Sequence, residues 1–186
     1  DSGGVARWRE GTRLGGLFLL LRDLDCVAEF LPAACPGCGG LDAAQALRVL
    51  VLAGLADDCQ AADWFADGVW RGVMGLGREM SRAELLAWAA AVIGPRRTAE
   101  RWLRDVRETV MRKFARRLPG FSESSPDYLL RNVLDVAASV MLSNDRLLVE
   151  FDRPPLDPVL ALSGAGGWEE SFGWTVPERI AVMRRR

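Results

Sequence analysis

Glycine and proline interrupt this sequence at intervals, and these interruptions limit what it can fold into. The stretch Pro32 to Gly40 and the pairs Gly94-Pro95 and Pro119-Gly120 each follow a segment whose apolar residues recur at helical spacing. Proline ends helices because it lacks an N–H, and glycine does so because it readily leaves the helical conformation. The chain therefore does not form one long rod, and we predict several helices packed into a compact body.

The first apolar segment, "LGGLFLLLRDLDCVAEFL" (14–31), predicts a helix over 13–31. Thr12 is a candidate cap, and residues 1–12 are polar and glycine-rich, as in a loose lead-in. The uninterrupted apolar run ends at Arg22, whereas a bilayer span needs about 20 apolar residues. We therefore expect a buried helix and no membrane span.

Four further segments of the first half have helical patterns. We predict helices over 42–56 and 58–70, and a third that begins after Ser81. Glu84 follows Ser81 at the spacing of a capping box, in which the two residues satisfy each other's backbone N–H. A long helix over 97–118 completes the set.

The second half of the sequence has a different pattern, with short helical and β-strand segments. "SSPDYLLRNVLDVA" predicts a short helix, and "SVMLSNDRLLVEF" (139–151) predicts a β-hairpin that turns at Ser143–Asp145. A proline-led short helix is expected over 154–167 and a third strand over 174–186. The predicted fold class is mainly α (α+β): a helical domain, 1–120, followed by a small α+β part, 121–186, packed on it or merged with it into one domain.

Composition excludes several classes of chemistry. The 186 residues contain no histidine, which removes the Ser-His and Cys-His nucleophile pairs and the imidazole metal ligand. The net charge of −1 provides no overall attraction to nucleic acid or anionic lipid. No phosphate-binding glycine loop and no constellation of catalytic carboxylates is present. We therefore expect a protein without enzymatic activity.

Four cysteines form the only candidate metal site. Cys35 and Cys38 make a CxxC pair, the spacing of two ligands in a zinc site, while Cys26 and Cys59 stand alone near it. A closed structural site would need all four thiolates. The alternative is a Pro-Gly turn whose cysteines behave as small apolar residues. The expectation is no cofactor, with zinc as the alternative.

The long helix has a strongly basic face. The helix carries eight basic side chains against Glu100, Asp105 and Glu108: Arg97, Arg101, Arg104, Arg107, Arg112, Lys113, Arg116 and Arg117. Of these, Arg97, Arg101, Arg104, Arg112 and Arg116 are the candidate partner-binding residues. Such a face fits a partner protein, a solvated surface with ion pairs, or a nucleic-acid backbone. No aromatic residue stands among the arginines to stack bases, so we expect a protein partner and keep nucleic acid as the alternative.

Trp168 and Trp174 lie in a glycine-rich segment near the C-terminus. Large aromatic side chains on such a segment are suitable anchors for another protein. They fit equally well with a segment that folds back on the hairpin. Both interpretations remain open at this point.

The order of these elements resembles the tape-measure-type proteins encoded with phage-tail-like contractile injection systems. The segment 14–31 is similar to that family's apolar opening, "AGLVLLWPFL…LF", and "DAAQALRVLVLAGLADD" (42–58) stands where its next helix does. "SSPDYLLRNVLD" (124–135) is similar to a serine-led "LRxxFL" segment, and "DRLLVEFDRPPLDPVLALSG" (145–164) to "LxVExxxxDxLL". "WEESFGWTVPERIAVMRRR" (168–186) stands in place of the closing tryptophan-rich strand.

The resemblance implies a structural role in the assembly of a contractile particle. The partners would be other protein subunits of that large assembly, namely tube, cap or baseplate proteins. A ruler for tube length has to be extended, and helix provides about 1.5 Å per residue. A chain interrupted by glycine and proline is instead expected to be a compact module that anchors. The other hypotheses are a regulatory domain that binds nucleic acid through 97–117 and an enzyme using cysteine or carboxylates.

Overall fold

The computed structural model describes residues 6–59, 63–143, 145–151, 159 and 167–184. These residues form several helices and a five-stranded sheet, which confirms the predicted fold class, mainly α with an added β part. Among the described residues no helix has the length and apolar character that crossing a bilayer requires.

The helical part begins with a 3-10 helix, Gly15–Phe30. Five α-helices follow along the chain: α1 (Ala43–Cys59), α2 (Gly68–Val73), α3 (Arg82–Ile93), α4 (Arg96–Arg117) and α5 (Pro126–Leu129). A π-helical turn, Leu130–Leu134, continues directly from α5. The 3-10 helix, α1, α3 and α4 pack on one another and form the bundle.

The predicted helix starts are confirmed where a local cap specifies them. The Ser81 hydroxyl accepts a hydrogen bond from the backbone N–H of Glu84, and the Glu84 carboxylate accepts one from Ser81 N–H, which completes the capping box. Ser125 caps α5 through the N–H of Tyr128, with Pro126 in the first turn. Gly94 ends α3 in a left-handed conformation, with φ of 124°.

The stretch predicted as one helix over 58–70 is different in the structure. α1 extends to Cys59, and after residues outside the described ranges the chain makes a 3-10 turn, Trp64–Ala66, and then α2. The Asp63 side chain accepts from the N–H of Phe65, and the Asp67 side chain accepts from the N–H of Trp70. Each aspartate starts a new turn, which divides the expected helix in two.

The sheet contains five strands in the order β1-β2-β3-β5-β4. The strands are β1 (Ala6–Thr12), β2 (Ala138–Ser143), β3 (Arg146–Phe151), β4 (Trp168–Ser171) and β5 (Arg179–Arg184). The predicted hairpin is confirmed as β2 and β3, and the predicted third strand is β5, parallel to β3. The short helix expected over 154–167 lies almost wholly outside the described residues.

The segment predicted as a loose lead-in contains β1. This strand is antiparallel to β2, with Thr12 opposite Ala138 and Glu10 opposite Val140. Thr12 consequently ends a strand and does not cap the following helix, although its hydroxyl accepts from the N–H of Leu14. The polar sequence of β1 did not predict a strand. This strand forms through its pairing with β2, which is more than a hundred positions away in the chain.

Helices and sheet share one hydrophobic core. Alternate residues of β3 point inward, with Leu147, Val149 and Phe151 buried. Gly16 allows the first helix to approach the end of the π-helical turn, since its N–H donates to the Val136 carbonyl at 3.0 Å and a Cβ at this position would collide with the Leu134 carbonyl. The division predicted at residue 120 is therefore crossed by both the sheet and the core.

Candidate protein-interaction surface

One face of α4 anchors the helix in the protein. Val106, Val110 and Phe114 have no exposed surface, and Ala99 and Leu103 are buried on the same side. Contacts with the first helix, α1, α3 and α5 hold α4 in place, while the opposite side of the helix carries mostly exposed residues. The opposite face is consequently available for function.

The opposite face carries the arginines predicted from the sequence. With 3.6 residues per turn they occupy about one third of the helix circumference, and all five side chains are exposed. We call Arg97, Arg101, Arg104, Arg112 and Arg116 the arginine face. None of them forms an ion pair within the part of the chain that the structure describes.

The remaining arginines of α4 form ion pairs with other residues of the protein. Arg107 binds Asp58 at 3.2 Å, Arg117 binds Asp23, and Arg96 binds Glu100 one turn further along the helix. The sequence pattern included Arg107 and Arg117 in the basic helix but did not separate them from the arginine face. Only the packing of α4 against its neighbours shows which arginines have partners.

The start of α4 has a charge pattern that disfavours the helix. Arg96 and Arg97 lie in the first turn, no acidic residue is present there, and the preceding Pro95 provides no side-chain cap. Positive charge near a helix N-terminus interacts unfavourably with the helix dipole, typically by several tenths of a kcal/mol. Residues that destabilise a helix without contributing to the fold are expected where they serve another purpose.

Two acidic side chains divide the arginine face. Asp105 and Glu108 are exposed and lie on the same third of the helix, between Arg104 and Arg112. They stand four positions from arginines of the face, where exposed pairs contribute only about 0.3–0.5 kcal/mol. The charge along the face therefore runs basic, acidic, basic.

Two clefts border the C-terminal half of this face. One, about 440 Å³, is lined by Arg112, Arg116, Ser122 and Ser124. The other, about 570 Å³, lies between α1, α4 and α5 and contains Asp58, Arg107 and Arg131 among its lining residues. Burial raises the pKa of Asp58, and Arg107 opposes this effect. Both clefts have the mixed charge that suits contact with polar protein side chains.

The structure does not assemble a four-cysteine site. Among the described residues no three His, Cys, Asp or Glu side chains are close enough to hold a metal ion. Cys38 precedes α1 and Cys59 ends it, and a helix of 17 residues holds its ends about 24 Å apart. Cys26 is buried within the first helix, with its Sγ 3.0 Å from the Asp23 carbonyl oxygen.

The CxxC segment forms a tight turn, as in the alternative interpretation. Cys38 and Leu41 exchange backbone hydrogen bonds at 2.9 Å, and Gly39 and Gly40 between them have positive φ. Trp88 Nε1 donates to the Pro36 carbonyl at 2.8 Å and ties the turn to α3. Burial raises the pKa of all four thiols, that of Cys59 to about 11, so none is an activated nucleophile.

Of the two interpretations left open for the tryptophan segment, the structure favours the one in which the rings pack against the rest of the protein. Trp168 begins β4 and is only 8% exposed, with the Arg22 guanidinium 4.9 Å from its ring centroid. Trp174 is half-buried, and its Nε1 donates to Asp25 at 3.1 Å. Both rings contact residues of the first helix, so they fold back onto the helical part. They serve the fold and are not exposed anchors.

A polar cluster lies beneath Trp174, and no pattern in the sequence indicated it. The Arg48 guanidinium lies 4.5 Å from the Trp174 ring centroid, and burial lowers the Arg48 pKa. Gln45 donates from Nε2 to the carbonyl oxygens of Met74 and Trp174 at 3.0 and 2.8 Å. These contacts join α1 to the segment between β4 and β5. A helical pattern reveals that such residues face inward but not which distant carbonyl they bind.

Comparison with models of known protein families, with curated proteins and with solved structures finds no match for this chain. Function therefore has to be inferred from the arginine face, the clefts beside it and the sequence pattern.

Proposed function

We propose that this chain is a non-enzymatic structural module that docks to other protein subunits during assembly of a phage-tail-like contractile injection particle. The observation that carries the docking role is the arginine face, whose five exposed side chains have no ion pair among the described residues. The resemblance of the sequence to tape-measure-type proteins supports the kind of particle. Assembly in the cytoplasm, with tube, cap or baseplate proteins as partners, belongs to the same proposal.

The shape of the molecule supports an anchoring role over that of a ruler. Its longest described helix, α4, has 22 residues and a length of about 33 Å. The other helices fold back around it and share its core. A segment of this kind sets a position in an assembly, whereas tube length has to be measured by extended chain.

The test is to express the tagged chain in its native host and to isolate intact particles by sedimentation. We expect the chain in the particle fraction together with tube or baseplate subunits, and a tagged protein of equal size from outside the particle serves as control. Recovery of the chain only as a free monomer, with particles lacking it, would contradict the proposal.

The alternative function, nucleic-acid binding through 97–117, rests on the same basic face. Anisotropy of a labelled DNA duplex distinguishes the two, because phosphate contacts give an affinity that falls steeply with salt. We expect weak binding at near-physiological salt. Tight binding with a steep salt dependence would favour the nucleic-acid role.

A further inference from the structure

We propose that the arginine face binds an acidic helix of a partner protein, and that the charges of this helix run acidic, basic, acidic over about five turns. The inference rests on the proposed function, since it specifies the partner of the same surface. It is carried by two features of α4: its length and the order of its charges.

The length of the arginine face fits a helical partner. Arg97 and Arg116 are about 28 Å apart along the axis at 1.5 Å per residue. The face follows one side of a single continuous helix, Arg96–Arg117. Another helix lying along α4 can contact every arginine in turn, because side chains three and four positions apart share one face of a helix.

The order of charges specifies the partner further. A partner helix that pairs with Arg97, Arg101 and Arg104 needs carboxylates there, and it needs them again opposite Arg112 and Arg116. Opposite Asp105 and Glu108 it needs lysine or arginine, because like charges that face each other oppose binding. The face therefore selects against helices that are uniformly acidic as well as against basic ones.

The same order makes a second copy of this chain a poor partner. In an antiparallel two-fold pair centred on α4, Arg97 would lie opposite Arg116 of the other copy, and Arg101 opposite Arg112. Asp105 would lie opposite Glu108. A parallel pair in register also places like charges together. A two-fold interface requires a self-complementary patch, and this face lacks that property.

A nucleic-acid backbone fits the face less well than an acidic helix. Its phosphates present unbroken negative charge, which Asp105 and Glu108 at the centre of the face would repel. No aromatic side chain stands among the five arginines to stack on bases, since Trp102 and Phe114 are turned toward the core. Nucleic acid is therefore kept as an outcome of the experiment.

The experiment measures binding of labelled synthetic helical peptides to the full chain by fluorescence anisotropy at near-physiological salt. The first peptide, of about 21 residues, carries glutamates in its outer turns and lysines at its centre. The second has the same composition, with the lysines moved into the outer turns and glutamates in their place at the centre. We expect the first peptide to bind about tenfold more tightly or better, because only it places opposite charges along the whole face.

Two charge-reversed variants locate the binding surface. Arg101→Glu/Arg112→Glu should weaken binding of the first peptide about tenfold. Arg13→Glu/Arg78→Glu is the matched control, because both of its arginines are exposed but lie outside α4, and it should bind as the wild type does. Arginines placed in the peptide opposite the two new glutamates should restore the affinity.

Three results would overturn the inference. These are equal affinity for the two peptides, no measurable binding of either, and tighter binding of a DNA duplex than of the first peptide. The proposed function is tested separately, by whether the chain is found in the particle fraction. If Arg101→Glu/Arg112→Glu still enters particles as the wild type does, the docking role stands and the acidic-helix partner does not. If the chain binds the first peptide selectively but is absent from particles, the acidic-helix partner stands and the docking role in the particle does not.

Discussion

Asp23 and Arg117 form an ion pair that joins the first helix to the C-terminal end of α4. Arg117 donates from Nε to Asp23 Oδ1 at 3.0 Å and from Nη2 to the Leu19 carbonyl oxygen at 2.9 Å. The carboxylate is fully buried, while the guanidinium is 26% exposed. Burial raises the pKa of Asp23, and the hydrogen bond and charge of Arg117 act in the opposite direction. The charge of Asp23 is tolerated inside the protein because Arg117 accompanies it.

Replacing Arg117 by methionine should therefore destabilise the protein. The variant leaves a buried carboxylate without a partner, and we expect a loss of about 3 kcal/mol in the free energy of unfolding, measured by urea denaturation at pH 7. The exposed neighbour Arg116 provides the control, since Arg116→Met should change stability by less than about 0.5 kcal/mol. Equal effects of the two substitutions would mean that the buried pair contributes nothing specific.

The stability deficit of Arg117→Met should depend on pH. The folded-state pKa of Asp23 lies above its ordinary value of 3.8, so the folded protein binds this proton more tightly than the unfolded chain does. The charged form is therefore penalised at pH values above the folded-state pKa, and most severely where Arg117 is missing. As pH falls from 7 toward 3.8, the difference from wild type should shrink. A difference that stays constant or grows would assign the deficit to lost packing.

Gly16 should not tolerate even one additional carbon. A Cβ at this position would collide with backbone atoms of Leu134, which cannot move as a side-chain end can. We expect Gly16→Ala to lower the free energy of unfolding by about 2 kcal/mol or more in urea denaturation. Gly72→Ala is the control: Gly72 lies in α2 with open space around its Cβ direction, and alanine there should stabilise by up to about 1 kcal/mol. The prediction is wrong if both variants behave alike.

Trp168 should be required for stability and not for partner binding. Its ring is buried between Arg22 and Phe172, so Trp168→Ala should cost about 3 kcal/mol in thermal or urea unfolding. The Trp168 Nε1 is buried without a hydrogen-bond partner among the described residues. Trp168→Phe removes that group and keeps most of the contact, so it should cost less than half as much. A Trp168→Ala variant as stable as the wild type would return this residue to the candidate anchors.

The four cysteines should differ in their rates of alkylation. Cys35 and Cys38 lie in the half-buried turn, whereas burial and the nearby Asp135 raise the pKa of Cys59 to about 11. Because the thiolate is the reactive form, iodoacetamide near pH 8 should label Cys35 and Cys38 before Cys59 and the buried Cys26. Peptide mapping by mass spectrometry follows each site, with the urea-unfolded chain as the reference in which the four rates converge. Early labelling of Cys59 would contradict the structure around the end of α1.

Helix positions were the most predictable part of the fold, because their signals are local. Ser81, Glu84 and Gly94 specify α3 by side chain and backbone conformation alone, and the observed α4 differs by one residue at each end from the predicted 97–118. The interval 58–70 was predicted less well. There Asp63 and Asp67 cap new turns, although the apolar spacing resembles one helix.

The exposure of the arginine face could be predicted from the sequence, but the ion pairs of the other arginines of α4 could not. Helical periodicity alone places the arginine face opposite Val106, Val110 and Phe114. It does not show that Arg107 and Arg117 find carboxylates on α1 and on the first helix. The CxxC spacing likewise allowed a zinc site, and only the tertiary structure shows that no three potential ligands come together among the described residues.

The amino-acid sequence by itself determined most of the helical segments, the pairing of β2 and β3 as a hairpin and the basic face of α4, because each depends on residues close together in the chain. Only the tertiary structure decided that β1 joins the sheet beside β2, that Trp168 and Trp174 cover the helical part, and that five arginines of α4 have no ion-pair partner among the described residues. These outcomes depend on contacts between residues far apart in the chain. Their free energy arises only when the whole core has formed.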